Sequence, residues 1–266
     1  PNPCSVFPVA MPTPVQSGGF EAIAVAFDGS GRVVVQARQP AGLMVGSSFV
    51  AFDRAEDVSN SGHRLFHTAT AGASIACAAC HPETENDERV WNFAPIGPRR
   101  TQSLRGGILA TAPFHWDGDM TDMKKLMRDV FTGRMSGENL SDAQMTAVAS
   151  WLDAQPVVPR SLTRDAQAVA RGKSLFEDAT VACASCHSGD HLTNNQSVSV
   201  GTGGSFQVPS LLGIASRAPF MHTGCAPTLT DRFGGAPECG GGDSHGKTSH
   251  LSSAQLGDLV AYLETL

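Results

Sequence analysis

Apolar residues recur at helical spacing in several short stretches, and a residue able to cap a helix opens most of them. After Ser141, the positions Met145, Val148, Trp151 and Leu152 form one stripe, and Pro156 stops it. Ser252 opens a matching run that carries Leu256, Leu259, Val260 and Leu263. Thr163 is placed to cap a helix from Arg164 to about Glu177, and a shorter helix is expected from Asp122 to about Phe131, after the turn Trp116-Asp117-Gly118. The N-terminal stretch reads differently. Glu21 to Phe27 and Arg32 to Gln36 are rich in β-branched and apolar residues and flank Asp28-Gly29-Ser30-Gly31, which predicts a β-hairpin. A lone hairpin is marginal in water, so it must pack on the rest of the chain or on another chain. Pro1 to Pro14 is proline-rich and expected to be extended. Pro1 opens the chain with no visible signal peptide, so the sequence reads as already processed.

These elements belong to a long internal repeat. The pairs Cys77 and Cys183, Cys80 and Cys186, and His81 and His187 all stand 106 residues apart. The same offset relates Pro113-Phe114 to Pro219-Phe220 and Gly118 to Gly224. Gly62-His63-Arg64-Leu65-Phe66 answers Gly172-Lys173-Ser174-Leu175-Phe176 at 110, and Leu140-Ser141-Asp142-Ala143-Gln144 answers Leu251-Ser252-Ser253-Ala254-Gln255 at 111. A repeat of this length is a duplicated domain rather than a solenoid. The expected organisation is an N-terminal extension over 1–51, a first domain over 52–157 and a second over 158–266.

The repeated strings Cys77-Ala78-Ala79-Cys80-His81 and Cys183-Ala184-Ser185-Cys186-His187 carry the chemistry. Cys-x-x-Cys-His is the attachment signature of c-type haem. The two thiols add across the porphyrin vinyl groups, and the adjoining imidazole reaches the iron. A redox dithiol has no use for the histidine, and zinc would need four ligands drawn from both motifs. Two covalently bound haems c are therefore expected, with His81 and His187 as proximal iron ligands. The expected fold class is mainly α: two tandem cytochrome c-like haem domains with a short N-terminal β-hairpin extension.

Composition agrees. Only 17% of residues are charged and apolar runs are short, so much of each core would be the haem itself. With 28 glycines and 16 prolines, many loops are expected. A net charge of −6 argues against nucleic acid and anionic membrane surfaces as partners. No apolar stretch reaches the ~18 residues of a membrane span. Covalent haem c assembly implies the periplasm or another extracytoplasmic space. Of seven cysteines, the haem motifs use four. Cys225 and Cys239 could pair in an oxidising compartment, leaving Cys4 free or paired outside the chain.

The two motifs, with Ser103-Leu104-Arg105-Gly106, Phe114-His115-Trp116-Asp117-Gly118, Pro209-Ser210-Leu211-Leu212-Gly213 and Ala218-Pro219-Phe220-Met221-His222-Thr223-Gly224, resemble the bacterial dihaem cytochrome c peroxidase superfamily, which includes MauG-type enzymes. The resemblance covers about residues 52–266. It implies reaction with hydrogen peroxide and a partner that is a small electron-transfer protein or a protein substrate. An electron-transfer cytochrome without peroxide turnover is the alternative. The N-terminal hairpin weakly resembles a β-propeller blade of the kind fused to such domains. Relatives carry a calcium ion between domains, although no Asp-rich loop here demands one.

In the family, a glutamate after the Trp-Asp-Gly turn serves as acid. Here that stretch reads Asp119-Met120-Thr121-Asp122-Met123-Lys124-Lys125. His115 is the best substitute, against a structural histidine holding the turn, and Asp122 is second, against a helix cap. Trp116 and Trp91 are candidates for the relay between haems. His245 is the nearest credible distal ligand for the second haem, against a plain loop residue, and Met135 occupies the comparable loop of the first.

Overall fold

The computed structural model describes residues 20–38, 40–52, 61–158, 164–234 and 239–266. Cys4, Pro1 to Pro14 and Thr163 lie outside these residues. The chain divides into two compact units, 1–60 and 61–266.

The first unit extends beyond the expected hairpin into a four-stranded antiparallel meander of β1 (Ala22–Phe27), β2 (Val33–Ala37), β3 (Gly42–Val45) and β4 (Ser48–Ala51). The first turn is tied by Asp28, whose carboxylate accepts from the Ser30 and Arg32 amides at 2.9 Å each. The third and fourth strands are only four residues long and lack a clear alternation. Gly42 is required there: a Cβ would lie 2.4 Å from the Phe49 ring. Val25 and Phe27 stay 69% and 73% exposed, so one face of β1 is apolar and open.

The second unit holds α1 (Ser61–His67), a β-ribbon of β5 (Val90–Phe93) and β6 (Gly97–Arg100), α2 (Met123–Leu126), α3 (Asp142–Asp153), α4 (Ala166–Glu177), a ribbon of β7 (Ser197–Ser199) and β8 (Ser205–Gln207), α5 (Leu229–Gly234) and α6 (Ser253–Leu263). It has two apolar cores. Phe66, Phe114, Met127, Phe131, Val148 and Leu152 build one, and Phe176, Phe220, Leu229, Leu259 and Leu263 the other. The helical stripes read from sequence face these cores, each fully buried side chain contributing ~1.5–3 kcal/mol.

The same local solutions occur around both cores. Ser141 with Gln144 and Ser252 with Gln255 form complete capping boxes at the starts of α3 and α6. α1 crosses α3 at Gly62, where a Cβ would lie 2.2 Å from the Ala147 carbonyl oxygen. α4 crosses α6 at Gly172, where it would lie 1.9 Å from that of Asp258. His115 and Met221 share a positive φ of 66° and 69° at the repeated Pro-Phe turn.

Two boundaries depart from expectation. α4 begins at Ala166 because Asp165 caps it, accepting from the Gln167 amide. The helix expected from Asp122 to Phe131 is α-helical only over Met123–Leu126, then widens into a π-helix over Met127–Arg134. That widening carries Arg134 and Met135 to a cavity wall. The two ribbons were not legible from strands of only three or four residues.

Candidate haem centres

Each motif folds into one tight turn. The amides of Cys80 and His81 both donate to the Cys77 carbonyl, at 3.2 and 2.9 Å. Those of Cys186 and His187 donate to the Cys183 carbonyl, at 3.3 and 3.0 Å. All four motif cysteines are free thiols. Burial pushes the Cys77 thiol up to about 11 and raises those of Cys80 and Cys183 as well. That is the reverse of a reactive redox dithiol, which needs a lowered pKa.

Both motif histidines are prepared as neutral ligands. Burial lowers His81 and His187 to about 4. The Nδ1 of His81 donates to the Gln102 carbonyl at 2.9 Å, and that of His187 to the Leu192 carbonyl at 3.2 Å. A carbonyl only accepts, so the proton sits on Nδ1 and Nε2 is left with a lone pair for a metal.

Beside Cys77, Cys80 and His81 lies a cavity of about 500 Å³. Phe66, Phe114, Met127 and Leu152 give it apolar walls; His115, Asp119, Arg134 and Arg99 give it a polar edge. Its size and apolar character fit a porphyrin, with free thiols and a bare imidazole nitrogen on one wall. Met135 and Trp91 also line it.

His115 stands on the turn closed by the Phe114 and Met120 bridge. Its Nδ1 lies 3.0 Å from Asp119 Oδ1, and Arg134 approaches the other oxygen of Asp119 at 3.9 Å. Donation to the carboxylate leaves Nε2 basic. Burial holds the His115 pKa below the ordinary histidine value while Asp119 pulls it back up. The imidazole is therefore neutral at pH 7 and able to take a proton. Asp122 departs from its catalytic reading. It does not line the cavity and caps α2, its Oδ1 accepting from the Lys125 amide at 2.8 Å.

Trp116 is buried, donates from Nε1 to the Arg100 carbonyl at 2.7 Å, and meets the His222 ring edge-on at 6.3 Å. His222 stacks on Phe206 at 3.9 Å, and its carbonyl accepts from the Arg100 amide at 2.7 Å. This aromatic contact joins the two cores at positions related by the repeat. Trp91 is partly exposed on β5 and donates to Asp87 at 2.9 Å.

Near the second motif, the His245 ring centre lies 6.1 Å from that of His187, with the planes 33° apart. Two imidazoles on one metal ion through ~2.0–2.1 Å bonds set their centres about 6 Å apart. The Nδ1 of His245 is buried with no partner. Arg232 donates to the His245 carbonyl and fixes this loop from α5. The Cys225–Cys239 disulfide closes the same region. A group of three or more histidine, cysteine, aspartate or glutamate side chains that could hold a further metal is absent among the described residues.

Asp119, Arg134, Arg100 and His222 are site residues that the sequence reading missed. For Asp119 the signal was its position four residues after His115 on a tight turn. The others join the site through long-range packing.

Known proteins resemble this chain over much of its length. Residues 169–266 match the cytochrome c family model. The chain is 26% identical over 261 residues to the γ subunit of hydrazine synthase from Kuenenia stuttgartiensis, covering 73% of this chain and 72% of that one. A solved hydrazine synthase chain from that organism superposes with a TM-score of 0.68 at 24% identity, over 77% of this chain and 86% of that one. Cytochrome c peroxidase Ccp of Escherichia coli is 24% identical over 190 residues, covering 66% of this chain but only 38% of its own length. A MauG-like protein associated with microbial copper homeostasis superposes with a TM-score of 0.58 at 18% identity, over 82% of this chain and 91% of that one. Residues 169–266 are thus similar to a cytochrome c domain, and the proteins that the chain resembles include a cytochrome c peroxidase and a MauG-like protein.

Proposed function

We propose that this chain is an extracytoplasmic oxidoreductase with two haems c in tandem domains, over 52–157 and 158–266, and that it reacts with hydrogen peroxide at the first. The observation that carries this reading is the polar edge of the large cavity. His115, oriented by Asp119, sits there as a neutral base beside the Cys77, Cys80 and His81 turn. Cys77, Cys80 and His81 would hold a haem here, and that haem would supply the redox chemistry with peroxide. His115 takes the proton from the incoming peroxide and returns it to the departing oxygen, a service worth ~10²–10⁴-fold in rate. The apolar walls exclude bulk water. His187 and His245, with ring centres 6.1 Å apart, would both hold the metal of a second haem, which would suit that centre to storing electrons rather than binding peroxide. Trp116 with His222 is the bridge between them. The electrons come from a small redox protein or from a residue of a protein substrate.

The test is the ferric EPR and optical spectrum of the holoprotein, followed by one equivalent of peroxide. A high-spin signal that is lost rapidly on mixing, and slowly in His115→Gln, supports the reading. Two low-spin signals untouched by peroxide would leave an electron-transfer cytochrome, with Met135 as the natural closing ligand of the first iron. A second reading rests on the extent of the match to hydrazine synthase γ. In it the chain is one haem subunit of an assembly and the open centre takes a small nitrogen compound. A protein inert to peroxide but retaining a high-spin iron would favour it.

A further inference from the structure

Arg100 and Arg217 are both buried, and among the described residues neither has a carboxylate within ion-pair distance. They lie side by side at the seam between the two cores. Arg100 donates from Nη1 to the Arg217 carbonyl at 3.0 Å, and Arg217 donates from Nη1 to the Ser210 carbonyl at 2.9 Å. The Nε of each is buried without a partner. Both guanidiniums line a cavity of about 50 Å³, shared with Gln102, Ser103, Gln207 and Ser210. The acids whose charge reaches the pair are Asp87 and Glu85 at Arg100 and Glu85 at Arg217; neither makes an ion pair with them, and Glu85 lies 3.5 Å from Arg105 instead.

Such a pair is costly as it stands. Guanidinium does not give up its proton at physiological pH, so neither residue can escape burial by becoming neutral. Two adjacent buried cations of the same sign need an anion to compensate the lost hydration. The position says which kind. Arg100 also lines the 500 Å³ cavity beside His81. Gln102, whose carbonyl holds the His81 ring, lines the small cavity too. The small cavity therefore adjoins the edge of the haem seat, has room for a carboxylate and is lined by donors.

We infer that Arg100 and Arg217 form a carboxylate clamp that takes haem propionate groups at the seam between the two cores. The inference rests on the haem reading above. Guanidinium binds carboxylate through paired, charge-assisted hydrogen bonds, and each unpaired Nε supplies a donor. The clamp would seat the porphyrin edge at the seam between the two cores, and would set the charge felt by the iron. A small free anion from solvent would satisfy the same donors, and the experiment separates the two sources.

The measurement uses the holoprotein, with haem content fixed by the pyridine haemochrome assay. Midpoint potentials come from spectroelectrochemical titration, and propionate hydrogen bonding from the resonance Raman propionate band. In Arg100→Gln the first haem should shift to a lower potential, because a positive charge that disfavours the ferric state is gone. Its propionate band should move towards the solvent-exposed position, and Arg100→Lys should restore most of the potential. Arg217→Gln should move a propionate band as well. Unmoved bands and potentials in both Gln variants, with two haems bound, would overturn the clamp alone. A wild-type potential that follows added chloride or acetate at constant ionic strength would overturn it in favour of a free-anion site. Fewer than two haems in the wild type would overturn the haem reading and the clamp with it. If a variant fails to mature, the wild-type band decides, lying either at the strongly hydrogen-bonded or at the free position.

Discussion

Gly172→Ala tests the packing that seats the second haem motif. Gly172 is buried in α4 where α4 crosses α6, and α4 leads directly into the Cys183 turn. An added Cβ would lie 1.9 Å from the Asp258 carbonyl oxygen, 2.6 Å from its carbon and 2.8 Å from Tyr262 Cβ. Two of these atoms are backbone, so no side-chain rotation relieves the clash. To reach ordinary contact the helices must separate by about 1.5 Å, a large step for axes ~8–10 Å apart. Overpacking of this kind costs ~1–3 kcal/mol, and the upper end applies because helix backbone must move. Alanine returns ~1 kcal/mol of helix propensity. The net expectation is a loss of about 2 kcal/mol, or a melting temperature lower by roughly 4–8 °C for a chain of this size. Gly257→Ala is the control. Gly257 sits in the same pair of helices, on α6, but a Cβ there meets nothing within 4 Å. It should stabilise by up to ~1 kcal/mol and raise the melting temperature by a few degrees. Thermal unfolding followed by far-UV circular dichroism reads both. If the two substitutions raise stability alike, the helices do not cross in close contact at Gly172 and the reasoning fails.

Other expectations concern the site and its supports. Peroxide reaction measured by stopped flow should slow ~10²–10⁴-fold in His115→Gln. Its wild-type rate should hold at neutral pH and fall in acid below the ordinary histidine value of ~6.5; in Asp119→Asn the rate drops and the acid limb moves lower still, because Asp119 raises the His115 pKa. Removing the Cys225–Cys239 disulfide, which closes a separation of 14 residues, should cost ~3 kcal/mol in denaturant unfolding and diminish the low-spin signal assigned to the His245 loop. Burial lowers the His222 pKa, so the folded chain resists its protonation and stability falls as pH drops through ~6.5. In His222→Phe that slope should be shallower, and an unchanged slope would place His222 in solvent.

The turns of the two Cys-x-x-Cys-His strings, the duplicated helices and their caps were legible because each rests on local chemistry. Ser141 and Ser252 announce their capping boxes, and the two Cys-x-x-Cys-His strings announce their turns. What was not legible depends on partners distant in sequence. The role of Asp122 could not be separated from a cap until Lys125 was seen to donate to it. The π-helical widening that brings Arg134 and Met135 to the cavity has no local sequence mark. Arg100 and Arg217 are ordinary surface residues by composition, and their burial arises only when residues 117 apart meet. The extra strands β3 and β4 are too short for periodicity to speak.

Because the two haem motifs sit in frames built the same way, differences at matched positions carry more weight than either half alone. His115 and Met221 share the same turn and nearly the same backbone, so the exchange of imidazole for thioether is a change of chemistry and not of shape. Four residues on, Asp119 orients His115, whereas the matched Cys225 is locked into a disulfide with Cys239. The second half therefore lacks both members of the His115–Asp119 pair. It has instead His245, held near His187 by a loop that the disulfide and Arg232 restrain. Trp116 and His222, again matched, meet edge-on where the cores join. Under the proposed function, the duplicated frame gives proton chemistry to one half and ligand closure to the other, with an aromatic contact between them. That division is what a two-centre oxidoreductase requires: one iron able to accept a small oxidant, one able to hold charge, and a short path between them.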